Sequence, residues 1–219
     1  MGPDEWQGLY REIVTEFGFD PEEDRRAAEV LAALILREGD WTVLGDLVDG
    51  SRVAVVGAAL EGAPLGGEVI MAADGATTGL LEHGMTPDVI VTDLDGPVED
   101  QIACNGRGTI VVVHAHGDNI DALRRWVPLF PGPLLGTTQV EPVDPLRNFG
   151  GFTDGDRAVM LADALGASEI LLHGFDFSRP GRYSFHRDRA VKMAKLRWAR
   201  RIIGMARAPV TYLDGLSPL

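Results

Sequence analysis

Two short apolar runs near the middle of the chain each end in aspartate: Val69-Ile70-Met71-Ala72-Ala73-Asp74 and Val89-Ile90-Val91-Thr92-Asp93-Leu94-Asp95. Carboxylates beyond the carboxyl ends of parallel strands lie in the crevice where open α/β sheets bind ligands, and there they can hold a hard cation and a phosphorylated substrate. Aspartates after strands are also ordinary turn residues that bond their own backbone, which accounts for one of the three. It accounts poorly for Asp93-Leu94-Asp95, because two carboxylates two residues apart repel each other unless a cation lies between them. The pattern points to a magnesium site built from Asp74, Asp93 and Asp95.

A second candidate is Val113-His114-Ala115-His116-Gly117-Asp118-Asn119, which follows another apolar run. His-x-His puts both imidazoles on one side of an extended chain, but no third soft ligand lies nearby, so zinc is disfavoured. His114 is assigned a structural use, with His116 and Asp118 near the substrate. The third candidate is basic. Ten of the twenty lysines and arginines lie between Arg179 and Arg207, a stretch with the single acid Asp188, and the only two lysines, Lys192 and Lys195, fall there. Three residues apart on a helix, they share one face, as a phosphate clamp opposite the acidic site would require and as a solvated amphipathic helix would also allow.

These groups need a scaffold to bring them together. Apolar runs at Val53–Val56, Val69–Ala72, Val89–Val91, Thr109–Val113 and Ile170–Leu172, separated by glycine-containing and helical segments, predict an α/β fold: a doubly wound, mostly parallel sheet flanked by helices. Residues 1–50 read as an N-terminal helical appendage, and residues 51–219 as the catalytic domain. Trp6, Leu9, Tyr10, Ile13, Val14 and Phe17 have helical spacing and stop at Gly18; Asp20 and Pro21 then open a second helix. Thr153, with Asp156 three residues on, opens a later helix that Gly166 ends. The segment Pro128–Gly151, rich in Pro and Gly, is expected to be a long loop suited to covering an active site.

With 219 residues, 45% of them hydrophobic, the chain can bury a full core. It has no apolar run long enough for a membrane span and no signal peptide at its acidic N-terminus, so a cytoplasmic protein is expected. The net charge of −13 argues against general nucleic-acid binding. The lone Cys104 excludes a disulfide framework; a homodimer stays open. Gly57 after the first run is a sparse phosphate-loop signal, and neither a dinucleotide fingerprint nor a P-loop is present.

Ile90–Gly96 resembles the first motif of haloacid-dehalogenase-type phosphatases, but Gly117-Asp118-Asn119-Ile120-Asp121 follows only 22 residues after Asp95, too soon for that family. A wider resemblance runs from Val53 to about residue 204. Ala73-Asp74-Gly75-Ala76, Pro87-Asp88-Val89-Ile90, Asp93-Leu94-Asp95, Thr153-Asp154 and Gly166-Ala167-Ser168-Glu169-Ile170 resemble the catalytic half of thiamine pyrophosphokinases. His114–Asn119, Asn148–Arg157, His173-Gly174-Phe175-Asp176 and Lys192 with Lys195-Leu196 bring the chain closer to the archaeal-type 6-hydroxymethyl-7,8-dihydropterin pyrophosphokinases.

The resemblance implies magnesium-dependent transfer of pyrophosphate from ATP to a reduced pterin. It carries metal binding to Asp74, Asp93, Asp95 and Asp154. Gly57, Arg157, Lys192 and Lys195 are then expected at ATP, with His116 or Asp118 taking the hydroxyl proton. Asn148, Phe149, Phe152 and Asp176 are expected at the pterin, the two Phe rings sandwiching it. The glycine turn after the first strand is thin, and the later Gly-Gly-Arg-x-Asp-His motif of the thiamine enzymes is missing, which disfavours thiamine. A transferase using a sugar nucleotide and a non-catalytic nucleotide-binding module are the alternatives.

Overall fold

The computed structural model describes residues 1–64, 66–185 and 188–213; Arg187 of the basic stretch and residues 214–219 lie outside the described residues. Three helices come first: α1 (Pro3–Phe17), α2 (Pro21–Leu34) and α3 (Trp41–Val48). Then follow β1 (Arg52–Val56), β2 (Val69–Ala73), α4 (Ala76–Glu82), β3 (Val89–Thr92), α5 (Val98–Asn105), β4 (Ile110–Ala115), α6 (Ile120–Trp126) and β5 (Leu134–Thr138). The chain ends with α7 (Asp154–Ala164), β6 (Glu169–His173), α8 (Arg189–Ile203) and β7 (Val210–Tyr212). All seven strands pair in parallel in the order β5-β4-β3-β2-β1-β6-β7. After β5 the chain returns to the far side of β1, so the order reverses there, and the crevice beyond the carboxyl ends of β6, β1 and β2 is the ligand position of such a sheet.

Because successive strand side chains point to opposite faces, the sheet carries two cores. On one face Val56, Ala72, Ile90, Val111 and Val113 pack with α2, α4, α5 and α6. On the other, Val53, Val55, Met71, Val91, Val112 and Leu172 pack with α3 and α7. A third cluster joins α1 (Trp6, Leu9, Ile13) to Phe152, Met160 of α7, and Trp198 and Ile202 of α8. α2 lies against β4, β5, α6 and a 3-10 turn at Gly117–Asn119, so both leading helices reach the carboxyl edge of the sheet. No helix among the described residues is long and apolar enough to cross a membrane.

The helix signals read from sequence hold: Gly18 closes α1 in the left-handed region (φ 69°), and the Asp20 side chain accepts the Glu22 N–H at 2.9 Å. The long loop does not. Pro128–Gly151 contains β5, whose five residues are all buried and hydrogen-bonded to β4. A strand buried on both faces has no polar alternation to betray it, and Gly136 interrupts the β-branched pattern. A methyl group there would meet Leu146 Cδ2 at 2.3 Å and Ile35 Cδ1 at 2.7 Å, so a larger residue requires those side-chain ends to shift. The three-residue edge strand β7 was equally invisible.

The start of α7 sets the back wall of the crevice. Asp156 is fully buried and its carboxylate accepts the N–H of Phe152 (2.6 Å), the N–H of Thr153 (2.8 Å) and the Thr153 hydroxyl. Asp156→Ala leaves those donors unpaired and is expected to lower stability by about 2–4 kcal/mol. Denaturant unfolding checks this, and a loss below about 0.5 kcal/mol, the usual size of an inert surface change, would contradict it.

Candidate functional site

Asp74 follows β2 with φ 43°, in the left-handed region, and its N–H donates to Val91 O of β3 at 2.8 Å. Its carboxylate is buried, with Oδ1 accepting from Thr92 Oγ1 at 2.7 Å and Gln101 Nε2 at 2.8 Å. The other oxygen faces Gly96, where a Cβ would lie 2.2 Å from it. Asp93 follows β3, and Leu94 then adopts φ 68°, a rare conformation for an apolar L-residue and a mark of local strain. That turn brings Asp95 back beside the others. One oxygen each of Asp74, Asp93 and Asp95 lies within 4.8 Å of the rest.

This crowding divides the carboxyls electrostatically. Burial, then the neighbouring Asp93, raises the Asp74 carboxyl; the same two causes raise that of Asp154 well above the usual carboxylate range. Burial followed by Asp93 and Asp74 pushes Asp95 up to about 8. Burial also opposes an ionised Asp93, but the hydrogen bond from His116, with Arg157 and Lys195 nearby, outweighs it and holds that carboxyl well below the usual range. His116 Nε2 lies 3.3 Å from Asp93 Oδ2. Asp93 is thus the most readily ionised carboxyl of the cluster, and Asp74, Asp95 and Asp154 are all displaced upward around it.

Two crevices meet at this point. The first is a cleft open to solvent. Gly57, Asp74, Asp95, Asp154, Lys192 and Lys195 are among its walls, so the two lysines of α8 face the carboxylates as their spacing suggested. The second lies between the α1–α2 turn and the Gly117–Asn119 turn, lined by His116, Asp118, Arg157 and residues from Gly18 to Asp24. Asp93, Phe152 and Lys195 belong to both and form the partition. Phe152 is 6% exposed, packs on Phe17 and Phe19, and has Lys195 Nζ 5.6 Å from its ring centroid.

The remaining expected residues are placed differently. The Asp154 carboxylate pairs with Arg157 Nη1 at 3.2 Å. Asp176 lines the first crevice, but its carboxylate is occupied by Ser178 N, Ser178 Oγ and Arg179 Nε. Neither crevice contains Asn148 or Phe149. The Asn148 amide donates to Val140 O and its oxygen accepts from Gly150 N, which shapes the loop, while Phe149 stacks obliquely on Trp41 with centroids 5.3 Å apart. An apolar ring beside a flexible glycine pair found core instead of ligand. His114, buried between strands against Thr137 Oγ1, has the structural placement expected of it.

Sequence reasoning missed Gln101 and Thr92 as the supports of Asp74, and missed Asp24 and Gln139 altogether. A polar Gln at a fully buried phase of α5 was the one available signal. Asp24 lies 93 and 115 residues from partners that explain it.

A family model described as 6-hydroxymethylpterin diphosphokinase MptE-like matches residues 66–182. A protein of Pyrococcus furiosus named 6-hydroxymethyl-7,8-dihydropterin pyrophosphokinase is 46% identical over 215 residues, 91% of this chain and 92% of that protein. One of Methanothermobacter thermautotrophicus with the same name is 45% identical, covering 90% of this chain and 92% of that protein. The chain belongs to the MptE-like family. Its fold is also similar to that of the MAf glycosyltransferase from Magnetospirillum magneticum, with TM-score 0.50 and 16% identity over 90% of this chain but 39% of that larger one. At that identity the likeness extends to the fold of this MptE-like chain and no further.

A raised carboxyl pKa means that, from about pH 4 to about 8, unfolded Asp95 has released a proton that folded Asp95 retains, so folding loses stability as pH rises through that window. Asp95→Asn cannot ionise. In chelator it is expected to melt increasingly above the wild type as pH climbs from about 5 to about 8, by a modest amount because Asp95, although crowded by its neighbours, lies at the exposed rim where solvent screens its carboxyl. Magnesium should then raise the wild-type melting temperature more than the variant's. A difference independent of both pH and magnesium would contradict the shared cation site.

Proposed function

We propose that this protein transfers the pyrophosphoryl group of ATP to the hydroxymethyl oxygen of 6-hydroxymethyl-7,8-dihydropterin, releasing AMP, and that it works in the cytoplasm with magnesium. The observation that carries the reading is the cluster Asp74, Asp93 and Asp95 opposite Lys192 and Lys195, in a chain 46% identical to a relative named for that reaction. Three hard oxygen donors at one strand edge, with no thiolate and with the imidazole of His116 already bonded to Asp93, suit Mg²⁺ better than a softer metal. Bound there by Asp74, Asp93 and Asp95, it would offset phosphate charge.

The chain's own residues supply the rest. In the transfer a bond forms from the pterin hydroxymethyl oxygen to the β-phosphorus as the bond from that phosphorus to the α,β-bridging oxygen breaks; AMP leaves with that oxygen and its electron pair. Little covalent work falls to the protein, so positioning and charge carry the rate. Lys192 and Lys195 draw the triphosphate toward the carboxylates, and Arg157 keeps Asp154 in place. His116, against Asp93 and open to the second crevice, is assigned the hydroxyl proton; Asp118 on the exposed rim of that crevice is the other acceptor.

Incubation with ATP, magnesium and the dihydropterin is expected to give AMP and the pterin diphosphate, read by ³¹P NMR, whereas ADP with a pterin monophosphate would overturn the reading. Lys192→Ala and Lys195→Ala should each raise the KM for ATP about tenfold, a loss of roughly 1.4 kcal/mol of binding, with the pterin KM changed less than about twofold. Asp93→Asn removes both a ligand and the partner of His116 and should lower kcat by about a hundredfold or more. Normal turnover in that variant would count against the site.

A further inference from the structure

An in-line displacement requires the attacking oxygen and the leaving group to lie on opposite sides of the phosphorus. A site for such a reaction therefore needs two approaches to one charged centre. The two crevices that share Asp93, Phe152 and Lys195 provide them. The first has the glycine backbone and both lysines. The second has a different character, with one wall aromatic (Phe19, and Phe152 at a centroid distance of 6.1 Å) and a floor that is a continuous polar chain.

That chain begins on α1. Tyr10 donates its hydroxyl to Asp24 Oδ2 at 2.5 Å, and Gln139 Nε2, just after β5, donates to the same oxygen at 2.8 Å. Arg157 Nη2 donates to Gln139 Oε1 at 3.4 Å, and Arg157 Nη1 continues to Asp154. Asp24 is 3% exposed, and among the described residues its Oδ1 accepts the Gly117 N–H alone, at 2.7 Å, which leaves acceptor capacity on a carboxylate that can take about four donors. Arg157 is 5% exposed, and its Nε has no hydrogen-bond partner among the described residues. A buried donor without a partner is costly unless a ligand uses it, and Asp24 Oδ1 has room for a further donor.

We propose that this second crevice is the acceptor site, that it takes a flat 2-amino-4-oxo heterocycle, and that Asp24 Oδ1 accepts one N–H of the ligand's 2-amino edge while Arg157 serves its carbonyl. The proposal rests on the reading of the protein as a pterin pyrophosphokinase and adds where the pterin binds and what selects it. The N-terminal helices thereby supply substrate recognition, and the α/β sheet supplies the phosphate chemistry. Phe19 and Phe152 line one side of the ring, whose hydroxymethyl arm then points past His116 toward Asp93.

The test combines two variants with a change in the ligand. Phe19 is only partly buried, so Phe19→Ala keeps the fold; it should raise the pterin KM about tenfold or more and leave the ATP KM within about twofold. Asp24→Asn should do the same, with its melting temperature measured alongside. On the wild type, an analogue of the pterin lacking the 2-amino group should bind at least about tenfold more weakly, because it loses its charge-assisted hydrogen bond to Asp24 Oδ1; Asp24→Asn should erase most of that difference. If Asp24→Asn does not fold, the Phe19 variant and the wild-type analogue comparison decide the matter. Wild-type activity with an unchanged pterin KM in Phe19→Ala and no discrimination against the analogue would overturn the acceptor site alone. No AMP from the wild type with ATP and pterin would instead overturn the functional reading, and this proposal with it.

Discussion

Mutual repulsion among carboxylates gathered at one strand edge is the constraint around which this molecule is organised. Asp74, Asp93 and Asp95 bring oxygens within 4.8 Å of one another, a placement that costs free energy in the absence of a cation. The fold imposes it all the same. Asp74 is pinned by Thr92 and Gln101, and the turn that returns Asp95 to the cluster runs through a leucine at φ 68°. Strain and like charge together mark a site prepared for a positively charged ligand rather than one optimised for stability.

Much of the surrounding structure offsets that charge or shares it out. His116, Arg157 and Lys195 hold the Asp93 carboxyl down, and burial raises those of its neighbours. Lys195 is itself held below its ordinary value by burial, partly balanced by Asp93. Phe152 separates the two crevices and anchors α1 through Phe17 and Phe19. The leading helices are thus tied to the carboxyl edge of the sheet as well as to the cores on its two faces.

What the sequence made legible follows from the range of the interactions. An apolar run ending in Asp93-Leu94-Asp95 is local, and so are the Asp20 and Thr153 starts of helices; all were readable because the decisive partner lies within a few residues. The facing of Lys192 and Lys195 was readable because helical spacing is local too. β5 was not, since a strand buried on both faces and broken by Gly136 has no period to detect. Asn148 and Phe149 looked like ligand groups from their glycine-rich surroundings, and only packing showed Phe149 on Trp41. Asp93 and Asp95 looked equivalent in sequence; a histidine 23 residues away makes them opposites. Asp24 and Gln139, 115 residues apart, meet only in the folded chain.

The most direct measurement of the central claim is a Mn²⁺ binding titration followed by electron paramagnetic resonance, on the wild type and on Asp74→Asn, with circular dichroism to confirm that both are folded. The account predicts saturable binding in the wild type, competed by magnesium, and weakening of about tenfold or more in the variant, which has lost one oxyanion ligand of the cluster. Equal Mn²⁺ affinity in the two folded proteins, or none in the wild type even with ATP present, would contradict it.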